Sequence, residues 1–267
     1  MIRFHYMART NKLDVQSLSE LSNELDLAGY YSVLLTYDPM VSDNMIKAAN
    51  ILNTSHKIKY MPAVRTYAIS PEYFGMMCRS FEEIQKNRFM VNIVSGDINS
   101  NETFLNDIVN IQLDIDTPDK RLEYTKRWIE KFISLKYLDY IPEIVMGGHS
   151  EKTIQMANDN DFMSLVSWSE YKNVANLDKF KKANRQMVSM CIVIRDTDEN
   201  AKNDLDSFKI PNAYNFTLYG SKNTVKQEII NLYNSGIADI QISNHWQDDQ
   251  YKNIHGLVKE MLEEING

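Results

Sequence analysis

The sequence predicts an α/β fold, a (β/α)8 barrel built as one domain over residues 1–267. Three observations predict it. Short apolar runs alternate with amphipathic stretches along the whole chain, which implies a parallel sheet with right-handed crossovers. Eight such runs occur, rich in Val, Ile, Tyr and Met and only weakly alternating, as strands buried on both faces are. No low-complexity linker separates a second unit, and barrels of this class routinely exceed 200 residues as one domain.

The candidate strands are Ile2–Met7, Ser32–Tyr37, Ile58–Arg65, Phe89–Ser95, Glu143–Met146, Phe162–Val166, Met187–Ile194 and Asp239–Ser243. Between the first two, Leu18, Leu21, Leu25 and Ala28 keep one helical face until Gly29 stops it. Ser70-Pro71 is an N-cap followed by proline at the first helical position, and Thr117-Pro118 repeats the device. Leu122, Trp128, Ile129 and Phe132 give that second helix its apolar face. Thr224–Tyr233 and Tyr251–Ile265 are the last two helices. Asp97–Thr117 is a polar excursion of the kind that forms lids and binding loops, and Asp196–Tyr219 lacks a clear helical period.

With 29 basic and 36 acidic residues the net charge is −7, which argues against a nucleic-acid binder. Cys78 and Cys191 sit in apolar runs without CxxC or zinc spacing, so they read as buried free thiols in a reducing compartment and no metal is expected. No apolar run approaches the roughly 20 residues of a membrane span, and MIRFHYMART lacks the apolar centre of a signal peptide. A cytoplasmic location is expected.

In such barrels the chemistry sits where strands run into loops at their carboxyl ends. Gly147-Gly148-His149-Ser150 is the most suggestive of these places. Its glycines allow close backbone approach, and Ser150 opens a helix whose N–H groups and dipole suit a phosphate, although tight-turn chemistry accounts for the pair equally well. Arg65 ends an apolar strand and needs either an anionic ligand or an acidic neighbour. Asn92, in Val-Asn-Ile-Val, needs partners that a heterocycle's polar edge would supply as well as backbone would. Trp168 either stacks on such a ring or packs. His5, Tyr6 and Tyr37 are the candidate acid–base groups by strand position.

At these residues the sequence resembles a known family. Ala63-Val64-Arg65, Ser70-Pro71 and Asn87-Arg88-Phe89-Met90-Val91-Asn92-Ile93-Val94-Ser95-Gly96-Asp97 are similar to the third-to-fourth-strand passage of bacterial-luciferase-like flavin monooxygenases, closest to the alkanesulfonate monooxygenases. Gly29-Tyr30, Met146-Gly147-Gly148-His149-Ser150, Ser167-Trp168-Ser169-Glu170, Ile194-Arg195-Asp196-Thr197 and Tyr219-Gly220-Ser221 follow in the family's order. The resemblance implies a luciferase-like barrel that binds reduced FMN (FMNH2) from a separate flavin reductase, activates dioxygen toward a small organic substrate, and forms a homodimer through barrel helices. It implies that Asn92 and Ser95 contact the flavin ring, that Gly148, His149 and Ser150 take the phosphate, and that Trp168 lies near the ring.

The departures carry information too. The family's active-site Cys falls on Val41, and its seventh-strand Arg-x-His falls on Ser189 and Cys191. Its Arg-Tyr before the long helix is Arg121-Leu122, and its long late insertion shrinks to the Asp196–Tyr219 stretch. Sulfonate cleavage is therefore not expected. Three alternatives stand beside the monooxygenase: a non-catalytic flavin-binding or flavin-storage barrel, a deazaflavin-dependent relative, and an aldolase or isomerase. The strand-end residues contain no lysine, which counts against a Schiff-base enzyme.

Overall fold

In the computed structural model, residues 1–9, 12–38, 42–96, 115–148, 150–173, 183–243 and 250–267 are described. Nine parallel strands form one sheet: β1 (Arg3–Ala8), β2 (Ser32–Leu35), β3 (Lys59–Arg65), β4 (Met90–Val94), β5 (Glu143–Gly147), β6 (Met163–Ser167), β7 (Gln186–Arg195), β8 (Thr217–Ser221) and β9 (Asp239–Ser243). Eight of them close into a cylinder in the order β1-β2-β3-β4-β5-β6-β7-β9. The barrel expected from sequence is present.

The register shows how it closes. It runs Ala63–Asn92–Val145–Met163, resumes two residues on at Leu165–Met187–Asp239–Arg3, and two further on at His5–Ser32–Lys59. Lys59 lies four residues short of Ala63, so the ring closes with the stagger of eight that this cylinder requires. Alternate staves then fill the interior in layers of four. From the amino end these are Arg3, Lys59, Glu143 and Arg185; then Ser32, Met90, Met163 and Asp239; then His5, Met61, Val145 and Met187. Above them lie Leu34, Asn92, Leu165 and Gln241, then Met7, Ala63, Gly147 and Ser189, and finally Thr36, Val94, Ser167 and Ser243. The lower end is a charged plug, the middle is thioether and hydrocarbon, and the top turns polar.

Ten α-helices are described around it: α1 (Val15–Leu27), α2 (Asn44–Ile51), α3 (Pro71–Ile84), α4 (Pro118–Ile133), α5 (Glu151–Asp159), α6 (Trp168–Lys172), α7 (Asp198–Ser207), α8 (Ala213–Phe216), α9 (Lys222–Asn234) and α10 (Gln250–Asn266). The Ser70 hydroxyl caps α3 through the Tyr73 N–H, and Thr117 caps α4 through Lys120, each with proline behind it. Gly29 takes φ +84° just past α1, a left-handed turn that suits a residue without Cβ. Helix faces and outward strand residues share the main apolar shell, in which Phe81 stacks on Phe89 at 4.2 Å and Phe74 packs on Trp128 at 5.3 Å.

The Asp196–Tyr219 stretch differs from expectation. It holds α7, α8 and β8, the last pairing with the outer half of β7 from Cys191 to Arg195. Only Ala201 and Leu205 of α7 are buried, a single i,i+4 pair among polar residues, so the sequence shows too little apolar period to reveal the helix. The Asp97–Thr117 excursion lies mostly outside the described residues, as do Val41 and His149.

Candidate functional site

The upper layers converge on the carboxyl-end mouth of the cylinder. Asn92 sits in the layer beneath it, 5% exposed, with its Oδ1 buried and lacking a hydrogen-bond partner among the described residues. A buried acceptor left this way is costly unless a ligand donates to it. Gly147 faces it from β5: a Cβ there would stand 3.3 Å from Asn92 Oδ1, so the missing side chain leaves the amide a cradle. The next residue, Gly148, has φ +143°, and Ser150 then caps α5 by accepting the Thr153 N–H at 3.1 Å. The Ser150 Oγ also pairs with Thr153 Oγ1 at 2.8 Å. His149 stands between them but outside the described residues.

Two arginines close on the neighbouring corner. Arg65, half-buried at the end of β3, lies 5.9 Å over the Tyr37 ring and has no carboxylate partner among the described residues. A Cβ on Gly96 would come within 3.0 Å of its Nη1. Arg121, 4% exposed in the first turn of α4, donates from Nε to the Gly96 carbonyl at 3.1 Å and from Nη1 to the Ile115 carbonyl at 3.2 Å. Among the described residues it meets carbonyls rather than acids. Ser95 lies half-buried beside Gly96. Among the described residues no carboxylate pairs with either arginine, and their guanidinium donors suit an anion. Burial pushes the Tyr37 phenol up to about 12 although Arg65 pulls the other way, so Tyr37 is a hydrogen-bonding wall at neutral pH.

Three expected site residues lie elsewhere. His5 is fully enclosed below the Asn92 layer, with Nδ1 on Ser32 Oγ at 2.7 Å and Nε2 on Asp239 Oδ1 at 2.9 Å. Burial lowers its pKa against the pull of Asp239. It is a neutral core histidine, not a base at the mouth. Tyr6, one residue on, points by strand alternation into the helical shell, edge-on to Tyr30 and beside His255. Trp168 is 3% exposed and stacks on Tyr171 at 5.9 Å, with Lys172 Nζ 5.3 Å from its ring, so it packs in the shell outside the cylinder.

Gln241 and Ser243 were missed by reasoning from the sequence. The signal was available: Asp239, Gln241 and Ser243 alternate with Ile240 and Ile242, which marks a polar inner face. The described residues contain no group of three His, Cys, Asp or Glu arranged for a metal ion. They also contain no helix long and apolar enough to cross a membrane.

No protein-family profile matches the chain. Among solved structures it is similar to EDTA monooxygenase from Chelativorans sp. BNC1, with TM-score 0.78 and 11% identity over 98% of this chain and 93% of that one. It is similar to the coenzyme F420-dependent tetrahydromethanopterin reductase from Methanopyrus kandleri, with TM-score 0.69 and 14% identity over 97% of each chain. A third is the oxygenating constituent of 3,6-diketocamphane monooxygenase from Pseudomonas putida, a type II Baeyer–Villiger monooxygenase in complex with FMN. Its TM-score is 0.60 at 16% identity, over 99% of this chain and 97% of that one. At these identities the likeness is one of fold: the chain is a (β/α)8 barrel shaped like those of flavin- and F420-dependent oxidoreductases.

Proposed function

We propose that the chain is a two-component, luciferase-like monooxygenase that takes reduced FMN from a separate flavin reductase and oxygenates a small organic substrate. One observation carries the reading: a buried Asn92 acceptor, without a partner among the described residues, lies under side-chain-free Gly147, between the Arg65–Arg121 corner and the start of α5. That arrangement fits a planar heterocycle bearing N–H donors with an anionic tail. In the proposed complex Asn92 accepts from the ring edge, Ser95 lines it, and the Gly148–Ser150 turn with His149 and the arginines holds the phosphate. Bound reduced flavin would supply the electrons that activate dioxygen. The protein's part is to orient the ring and to exclude water, with Tyr37 and Arg65 forming one wall.

Titration with FMNH2 and FMN tests this. The reduced form is expected to bind at micromolar concentration or tighter and the oxidised form more weakly, while Asn92→Ala and Ser150→Ala each weaken the reduced form about tenfold. Unchanged affinity in both variants would remove the assigned site, and preference for a deazaflavin would change the cofactor. Flavin storage without turnover is the second reading, favoured by the withdrawal of His5 and Tyr6 from the mouth. Oxygen-dependent product formation in the presence of a reductase separates the two.

The family resemblance also supports a homodimer. Tyr73 (58% exposed), Met76 (58%) and Ile84 (46%) lie along the outer face of α3, and covering them with a second copy removes that apolar surface from water. Met76→Glu is expected to convert a dimer to a monomer in light scattering. Both cysteines are free and buried, which agrees with the cytoplasm as the proposed location.

A further inference from the structure

The layer of interior side chains at the level of Gly147 is thinly filled. Ala63 supplies a methyl group, Gly147 nothing and Ser189 a hydroxymethyl, so Met7 is the one long side chain in it. β1 and β5 stand four staves apart whichever way the cylinder is followed, which sets Met7 across the mouth from Gly147, one level above Asn92. Met7 packs against the cluster that holds Met61, Met90, Met163 and Met187. Those four are 0% exposed, whereas Met7 is half-buried. Among the described residues it is the only methionine that faces the cylinder interior and still meets solvent.

A thioether has no proton to lose, so its sulfur is open to a peroxide at any ordinary pH, and the product is a sulfoxide. The thiol on this side of the mouth is a poorer target. Cys191 pairs with Ser243, which pairs with Met7, and it is 2% exposed. Burial pushes it up to about 12 although Ser243 and Arg9 pull it down, so the reactive thiolate is absent at neutral pH. The oxidant follows from the proposed cofactor. Reduced flavin that meets dioxygen with no substrate to oxygenate passes it two electrons and two protons, giving oxidised flavin and hydrogen peroxide.

We infer that Met7 is a modification site: hydrogen peroxide oxidises its thioether to the sulfoxide, and the sulfoxide closes the mouth to the flavin ring. One peroxide oxygen bonds to the sulfur as the O–O bond breaks. The sulfur loses two electrons, and the departing hydroxide takes the transferred oxygen's proton and leaves as water. The new oxygen makes the one long side chain of the layer wider and polar. The hydrocarbon and thioether beneath offer it no donor, so it turns toward the space over Gly147. A protein idling without substrate thereby withdraws until the sulfoxide is reduced. The inference rests on the oxygenase reading for where the peroxide arises, while the susceptibility of Met7 needs no flavin.

The test adds hydrogen peroxide to the full chain and reads oxygen gain by peptide mass spectrometry at Met7, at Met1 (81% exposed) and at sealed Met187. Met7 and Met1 are expected to gain oxygen and Met187 to stay a thioether, with saturating FMN slowing Met7 about fivefold without protecting Met1. Once Met7 is fully converted, FMN should bind about tenfold more weakly, while in Met7→Leu the same treatment changes affinity by less than about twofold. With a flavin reductase, its reductant, FMN and air but no substrate, catalase in solution should spare Met1 and not Met7. An intact Met7 beside an oxidised Met1, an FMN affinity unmoved by the sulfoxide, or an equal loss in Met7→Leu each overturns the inference. Catalase protection of a Met7 that added peroxide oxidises, or an untreated chain with no affinity for FMN, would instead sink the flavin oxygenase reading and leave the modification site standing.

Discussion

Asp239→Ala is expected to lower stability by about 3 kcal/mol, the low end of the cost of stranding partners of a buried ion pair. Asp239 has a side chain only 7% exposed and takes the Arg3 fork on both oxygens, Nε at 2.7 Å and Nη2 at 2.8 Å. It also receives His5 Nε2 at 2.9 Å. Removing it leaves His5 without its acceptor in a fully enclosed layer and leaves Arg3 with Glu143 alone, a group already shared with Lys59, Arg185 and the Tyr31 hydroxyl. Arg3 retains 22% exposure, and the water it keeps is why the lower figure applies. For a chain of this size the loss corresponds to a melting temperature roughly 6–12 °C lower, readable by circular dichroism. A shift under about 2 °C would show that the plug contributes little.

The same plug fixes the direction of acid sensitivity. Burial opposes ionisation of Asp239 and Glu143, yet the bonds from His5 and Arg3 to the first, and from Tyr31 and the surrounding cations to the second, hold both pKa values below the ordinary carboxylate value. Groups lowered on folding contribute fully above their unfolded pKa and lose that contribution as pH falls. His5, lowered by burial, behaves alike from its unfolded value of about 6.5 downward. Stability should fall first below about pH 6.5, as the unfolded chain protonates His5, and again below about pH 4. The deficit of Asp239→Ala should accordingly be widest near neutrality and narrow in acid.

Gly147→Val should abolish flavin binding while the barrel persists. Even a Cβ at this position stands 3.3 Å from Asn92 Oδ1 and 3.5 Å from Val94 Cγ2, so a branched side chain fills the space over the amide. The residue lies in a strand with no positive φ, so the backbone accepts valine and the cost falls on the cradle. A loss of at least thirtyfold in FMNH2 affinity is expected, equivalent to about 2 kcal/mol. Circular dichroism checks that the fold is retained. If affinity holds in a folded variant, the ring does not lie over Asn92.

The barrel was legible because its elements carry local signals. Ser70-Pro71 and Thr117-Pro118 announce two helix starts, and the eight apolar runs that close the cylinder are strands whichever way they pack. The extra strand β8 follows α7, with its one buried pair, and the four-residue α8, so no amphipathic stretch announces it. The site was read less completely. His5 and Tyr6 are neighbours in sequence and opposite in space, and strand parity, fixed only once the register is known, separates them. Arg65 was an open choice between an anionic ligand and an acidic neighbour. The choice turns on which side chains stand across the mouth, and long-range packing decides that.

The ninth strand has a consequence for how such a protein can change. β9 stops pairing with β7 at Cys191, and β8 takes up that strand from Cys191 to Arg195. The excursion from α7 to β8 is thus hung on an overhang rather than woven into a stave. Its length and chemistry can drift without reopening the cylinder, and a lineage can redecorate the approach to its reaction chamber while inheriting the chamber intact.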